Sequence, residues 1–358
     1  MGRAPMGRAP MRQPPDAPGI LSGVLAGLAG GYLASLAGWP LPWMIGSLLG
    51  VALARCAGLA TTPLPAGRQA GQWLVASAVG LHVSREAALA LLHHLPLLLA
   101  GAVATLLLTL IGIAVLRRGG VDPATAFFAS LPGGASEMVN LARRHQAQPA
   151  QVAAAHSLRL LLVLLLVPAL FGWGLPRLPA LSAPHPDWPA LALLLPAGLL
   201  AALLWRRLGQ ANPWMLGPLL LCAIASASLD LQLALPGGLG QLGQWLLGCA
   251  LGAHFDRAFF RRAPDFIVRV LIFSLLAMLA AAGLGALLGL LAGGHGRALM
   301  LGSMPGGITE LGLTAASLQL SVALVSAQQL LRLLLVMLLA EPLYLGWRRL
   351  ASQRSRRD

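Results

Sequence analysis

Lysine is absent from this chain of 358 residues, and acidic residues number only 11. All 25 basic side chains are therefore arginines, and charged residues make up 10% of the sequence. Soluble domains carry about 25% charged residues, so this composition does not supply an ordinary water-facing surface. Cysteine is scarce too. Cys56, Cys222 and Cys249 all lie in apolar runs, an odd set with no disulfide or metal spacing, and they read as packing residues. The eight histidines are scattered, with no His-x-His or Glu-x-x-His pair for a copper or iron centre. An enzyme is not expected: the residues offer no catalytic set, no metal site and no cofactor. DNA recognition needs a soluble reading element. The free basic segments, the N-terminal tail and Arg348 to Arg357, are too short to form one, so no nucleic-acid partner is expected.

What is abundant is apolar. Hydrophobic residues make up 57%, and mean hydropathy is +0.76. Runs such as 95–116 and 266–292 are long enough to cross a hydrocarbon core about 30 Å thick. The lipid bilayer is thus the first expected partner. The net charge of +14 fits arginines clustered at cytoplasmic helix ends. Residues 1–18 are polar and Pro-rich and repeat Met-Gly-Arg-Ala-Pro, which reads as a disordered tail. Arginines ahead of an apolar run resemble a signal peptide, but the run from Ile20 has a counterpart later in the chain and belongs to the fold.

That counterpart is part of an internal duplication. Pro42-Trp43-Met44-Ile45-Gly46 recurs as Pro213-Trp214-Met215-Leu216-Gly217, 171 residues on. Gly71-Gln72-Trp73 recurs as Gly243-Gln244-Trp245, and Gly80-x-His82-x-x-Arg85 as Gly252-x-His254-x-x-Arg257, both at offset 172. Ser130-Leu131-Pro132-Gly133-Gly134-Ala135-Ser136-Glu137 recurs as Ser303-Met304-Pro305-Gly306-Gly307-Ile308-Thr309-Glu310, and Arg159 as Arg332, both at offset 173. Anchors with near-constant spacing mark a repeated unit. The predicted division is a tail over 1–18, a first membrane repeat over 19–183, a second over 184–348 and a basic tail over 349–358. Each repeat reads as six apolar segments, with Pro42 and Pro213 at helix starts. The third segment is short. The fifth is interrupted by Pro-Gly-Gly, where a continuous helix is not expected.

The arginines choose the topology. If the fifth segment enters and leaves on one side, each repeat makes five crossings and the second is inverted. Arg55, Arg68, Arg117, Arg118, Arg143, Arg144, Arg206, Arg207, the Arg257 cluster and both tails then fall in the cytoplasm. If all six segments cross, Arg143, Arg144, Arg206, Arg207 and the Arg257 cluster move outside, against the positive-inside bias. The expectation is an all-α polytopic membrane protein. It comprises two inverted repeats of about five transmembrane helices, each with a broken Pro-Gly-Gly segment, and has cytoplasmic termini. Inverted repeats with interrupted helices at matching positions are a transporter signature.

The candidate site follows from the breaks. Pro132, Gly133, Gly134, Ser136 and Glu137 match Pro305, Gly306, Gly307, Thr309 and Glu310. The glutamates are read as substrate- or ion-binding groups. Alternatively they neutralise Arg159 and Arg332, or place charge on the first turn of a helix. Ser136 and Thr309 contact a ligand or cap that helix. Arg159 and Arg332 lie inside the sixth segments, each three residues after a polar partner, His156 and Gln329, and so on one helix face with it. That stripe suits an anion or the interface between repeats, with snorkelling open to Arg159. His82 and His254, at the ends of the third segments, are secondary candidates with interfacial placement favoured. Gln72-Trp73 and Gln244-Trp245 read as interface residues. The sign of the substrate stays open. Helix N-termini with arginines favour an anion, deprotonated glutamates a cation.

The paired Pro-Trp-Met-x-Gly and Pro-Gly-Gly-x-[Ser/Thr]-Glu motifs resemble the AbrB-duplication membrane family, also labelled an ammonia monooxygenase family. It is distinct from the small soluble DNA-binding AbrB of sporulating bacteria. The resemblance runs from about Gly19 to Trp347. It implies a bacterial inner-membrane protein, sometimes described as a regulator of gene expression, and kinship with ten-helix inverted-repeat transporters. It brings no site assignment. The function read from the sequence is a secondary transporter of a small solute or ion working by alternating access. A membrane sensor acting indirectly on gene expression is the second reading. Homo-oligomerisation is compatible with either.

Overall fold

The computed structural model describes residues 17–39, 41–83, 85–173, 187–210, 212–231, 233–291 and 296–354. Most of the expected N-terminal tail, the predicted repeat boundary and residues 355–358 of the basic tail lie outside that set. The regular elements among the described residues are all helices. The first half holds α1 (Ala17–Leu36), α2 (Pro42–Cys56), α3 (Gly67–Leu81), α4 (Arg85–His93), α5 (Leu95–Leu107), α6 (Thr109–Arg118), α7 (Pro123–Ser130), α8 (Ala135–Arg144) and α9 (Pro149–Trp173). The second holds α10 (Trp188–Arg207), α11 (Pro213–Leu229), α12 (Gly237–Gly252), α13 (Arg257–Arg262), α14 (Pro264–Leu291), α15 (Gly296–Ser303), α16 (Ile308–Ser317) and α17 (Val322–Arg354).

Among the described residues, six spans are long and apolar enough to cross a bilayer: α1, Leu95–Arg118, α9 up to Phe171, α10, α14 and α17 up to Arg349. These are the first, fourth and sixth segments of each half. Large apolar side chains such as Leu193, Leu200, Leu279 and Leu290 point outward. Surface of that kind is costly in water and at home against lipid tails. The chain is a multi-pass helical membrane protein. Two details differ from the sequence reading. The fourth segment of the first half divides at His94, where α4 ends ahead of Pro96, and again at Leu108. The last helix continues to Arg354, so much of the predicted basic tail is helical.

The breaks form where expected. α7 stops at Ser130, and Leu131 is extended, with φ −59° and ψ 134°. A residue before proline is disfavoured in the helical region, and Leu131 precedes Pro132. The chain restarts as α8 after Gly134. α15 and α16 are separated in the same way around Pro305.

The helices sort into two groups that each draw on both halves. α1, α2, α3, α10, α11 and α12 pack mainly on one another. α5 to α9 pack with α14 to α17. Between the groups, α3 meets α16, while α4 meets α11 and α17. In the first group the matched glycines Gly46 and Gly217 allow close approach. A Cβ on Gly46 or on Gly30 would strike the carbonyl oxygen of the other, and one on Gly217 would come 2.7 Å from Ala202 N. Small residues of this kind bring membrane helices together.

Among the described residues, side chains near helix ends tie one half to the other. Arg55 pairs with Asp256 at 3.5 Å. The Arg269 side chain lies over Gly119. His145 Nε2 lies 3.0 Å from Glu341 Oε1.

Candidate functional site

The two breaks converge. A cavity of about 150 Å³ is lined by Pro132, Gly133 and Gly134 of one break and by Pro305, Gly306 and Gly307 of the other. Arg159 and His156 of α9, Arg332 and Gln329 of α17, and Glu310 of α16 complete the part foreseen from the sequence. The first helix group adds four residues: Arg68 and Gln72 of α3, Asn212 ahead of α11, and Met215. The cavity therefore lies where the two groups meet.

Arg159 and Arg332 are almost fully buried, with 6% and 3% of their surface exposed. A bare guanidinium at that depth is costly. Each is held instead by the carbonyls that its break leaves without helical partners. Arg159 donates to Ser130 O at 3.2 Å and Leu131 O at 3.0 Å. Arg332 donates to Met304 O and Gly306 O, both at 2.7 Å. Leu131 and Met304 are matched positions, so the two halves use one device. Arg159 accordingly does not snorkel to a helix end.

The polar residue one turn before each arginine completes the device. Arg159 donates to His156 Nδ1 at 2.8 Å, and His156 Nε2 lies 3.1 Å from Phe128 O. A guanidinium only donates and a carbonyl only accepts. His156 is therefore the neutral tautomer with its proton on Nε2. Gln329 Oε1 accepts from Arg332, while its Nε2 donates to Gly302 O at 2.7 Å and Met304 O at 3.0 Å. Arg332 Nε has no partner among the described residues.

Neither glutamate forms an ion pair with either arginine among the described residues. That expected alternative is corrected. The arginines are engaged by the main chain, and the carboxylates fold back on their own helices. Glu137 and Glu310 are the third residues of α8 and α16, after Gly134 and Gly307 at the cap positions. A Cβ on Gly134 would collide with Glu137 Oε2, and one on Gly307 with Glu310 Oε2. The glycines are needed here for space, since both have negative φ. The carboxylate lies at the positive end of its helix, as the helix dipole favours. Glu310 lines the cavity and feels the charge of Arg68. Glu137 is not among the lining residues. The side chains of Ser136 and Thr309 lie outside the described ones.

His82 and His254 stand apart from the cavity. Both are exposed and bond locally, His82 Nδ1 to Ala78 O at 2.7 Å and His254 Nδ1 to Leu251 O at 3.2 Å. Arg68 and Gln72, one helical turn apart, line the cavity, where the sequence predicts a cytoplasmic end and an interface. Their spacing on one face of a short segment is the available signal. Asn212 caps α11 in the left-handed region at φ 47°, a conformation asparagine tolerates.

Sequence comparison places this geometry. The family model described as "Transition state regulatory protein AbrB" matches residues 9–348. The chain belongs to the AbrB family. A Bacillus subtilis (strain 168) protein described as "Uncharacterized protein YhjN" is 27% identical over 347 residues, covering 88% of this AbrB-family chain and 90% of the relative. The paired motifs that line the cavity fall within the matched region of the AbrB-family chain.

Proposed function

We propose that this AbrB-family protein is a secondary transporter of a small solute, with the cavity between the two breaks as its binding site. The carrying observation is the convergence itself. Non-helical backbone at membrane depth persists where it is buried in protein or lines a wet cavity. Here two such stretches, with two buried arginines, line one cavity at the junction of two helix groups.

Alternating access is the proposed mechanism, and an asymmetry supports it. Gln72 and Met215 line the cavity, whereas their sequence counterparts Gln244 and Met44 do not. α3 packs on α16, with no comparable principal contact between α12 and α8. Near-identical segments thus occupy two environments. Exchange between them would move the cavity's opening from one face to the other as the two helix groups shift. Pro132, Arg159, Pro305 and Arg332 also line a second, much smaller cavity, so they form the partition between two spaces.

The inverted arrangement is part of the same reading. Arg55 with Asp256 and Gly119 with Arg269 each join positions near helix ends that fall on one side when the fifth segments re-enter, which supports this reading. With the positive-inside bias that side is the cytoplasm, the membrane is the bacterial inner membrane, and both termini are cytoplasmic. The family's description as regulatory favours one second reading, a sensor in which occupancy of the same cavity affects expression indirectly.

Reconstitution tests the proposal. Purified protein in proteoliposomes is expected to carry a solute from a mixed panel of acids, amines and neutral compounds, and Glu310→Gln to change that flux. Binding with no flux of any bound compound would favour the sensor.

A further inference from the structure

We infer that the solute is a small organic carboxylate, bound head-first at the guanidiniums of Arg159 and Arg332; this rests on the cavity being the solute site.

Charge is the first argument. Three guanidiniums, of Arg68, Arg159 and Arg332, line the cavity against one carboxylate, Glu310. That carboxylate is folded onto the start of its own helix at Gly307. Both buried arginines lack an acidic partner among the described residues. Both line the same cavity. Two buried cations on one lining without an acidic partner are relieved by an anion placed in that cavity. His156, held neutral by its two partners, adds no charge.

Hydrogen bonding gives the direction. The terminal nitrogens of Arg332 are engaged by Met304, Gly306 and Gln329, while Nε, in a side chain only 3% exposed, has no partner among the described residues. An unpaired buried donor is a strong preference for an acceptor.

The remaining wall defines the rest of the ligand. Leu160, Met215, Ile308 and Leu333 are apolar lining residues. An inorganic anion would face them with oxygens that they cannot satisfy, whereas a short carbon skeleton fits. A comparable cavity of about 150 Å³ accepts a molecule of about six non-hydrogen atoms. Gln72 and Asn212 offer amides to a second polar group.

The test uses the full chain in detergent micelles at matched ionic strength. Thermal unfolding is followed with sodium pyruvate, succinate or benzoate, with sodium phosphate, and with choline or putrescine chloride. A ligand that binds the folded protein raises Tm saturably. At least one carboxylate is expected to do so, with phosphate and both amines inactive. Arg332→Gln should weaken binding about tenfold or more, since a charge-assisted bond is lost. Should that variant not fold, Arg68→Gln changes an exposed guanidinium on the lining and should weaken binding a few-fold, about one charge's worth of attraction. A saturable shift with amines only, with phosphate only, or with none of the acids overturns the inference. Flux of an amine in proteoliposomes without carboxylate binding would leave the transporter standing and remove this inference. Carboxylate binding with no flux of that acid would do the reverse.

Discussion

Arg332 donates to the main-chain carbonyl of Gly306 at 2.7 Å, so a charged side chain of one helix fixes the unwound backbone of another. Arg159 does the same for the other break through Leu131. The charge that such a membrane protein must bury is thus the element that gives its irregular segment a defined shape.

Removing that fixation should unfold the breaks. Arg332→Met leaves the carbonyl of Gly306 without its donor and takes one donor from that of Met304, which keeps Gln329 Nε2. A loss of about 1–3 kcal/mol is expected, since a buried acceptor would be left unpaired. Thermal unfolding in detergent measures it. Arg332→Lys should lose less, keeping the charge and one bond. Equal stability of the methionine variant and the parent would show that the breaks hold their shape unaided.

The glycines at the cap positions make a separate prediction. Gly307→Ala should drive the Glu310 carboxylate off the helix start at a cost of about 1 kcal/mol, the worth of a helix-end charge. Combined with Glu310→Ala, the added methyl should cost little, because its collision partner is gone. A double-mutant cycle on unfolding reads this coupling. Strict additivity would mean that the carboxylate does not rest on Gly307.

The α1–α2 contact should be intolerant of volume. Gly46→Val would place side-chain atoms on the Gly30 backbone, and overpacking of this kind costs about 1–3 kcal/mol or more. A low yield of folded protein is expected, and the same for Gly217→Val against α10. Gly58, with φ 96° and open space around it, serves as a comparison in which alanine meets backbone strain alone. If Gly46→Val folded as well as the parent, the helices would not be in backbone contact.

Topology can be read by cysteine labelling. In a background lacking Cys56, Cys222 and Cys249, single cysteines replacing Arg143 and Arg206 should react with a membrane-impermeant reagent only after the cell is opened. Labelling of both from the outside of intact cells would refute the inverted arrangement.

Much of the site was legible because membrane burial is unforgiving. Pro-Gly-Gly inside an apolar run cannot continue a helix, and an arginine there needs partners, so Pro132, Pro305, Arg159 and Arg332 stood out. The three-residue spacing to His156 and Gln329 placed those residues correctly. Other features had no local signal. Nothing in the neighbourhood of Asn212 shows that it will lie beside Gly134, in a break about eighty residues earlier. The grouping of first-to-third against fourth-to-sixth segments arises from packing between distant helices. Gln72 and Gln244 sit in equivalent sequences, and which of them lines the cavity is a property of the conformation. The glutamates were half read. Their place at helix starts was foreseen as one option, and pairing with the arginines, the other option, did not occur.

Motion between the two helix groups is the central claim, and a reversible tether across them tests it most directly. A Cβ on Gly312 of α16 would lie 3.1 Å from Val79 Cγ1 of α3, a separation that suits a disulfide. Val79→Cys with Gly312→Cys, in the cysteine-free background, should cross-link on mild oxidation. The account predicts that ligand binding survives in the cross-linked protein, that flux in proteoliposomes stops, and that reduction restores it. Undiminished flux through fully cross-linked protein would contradict it.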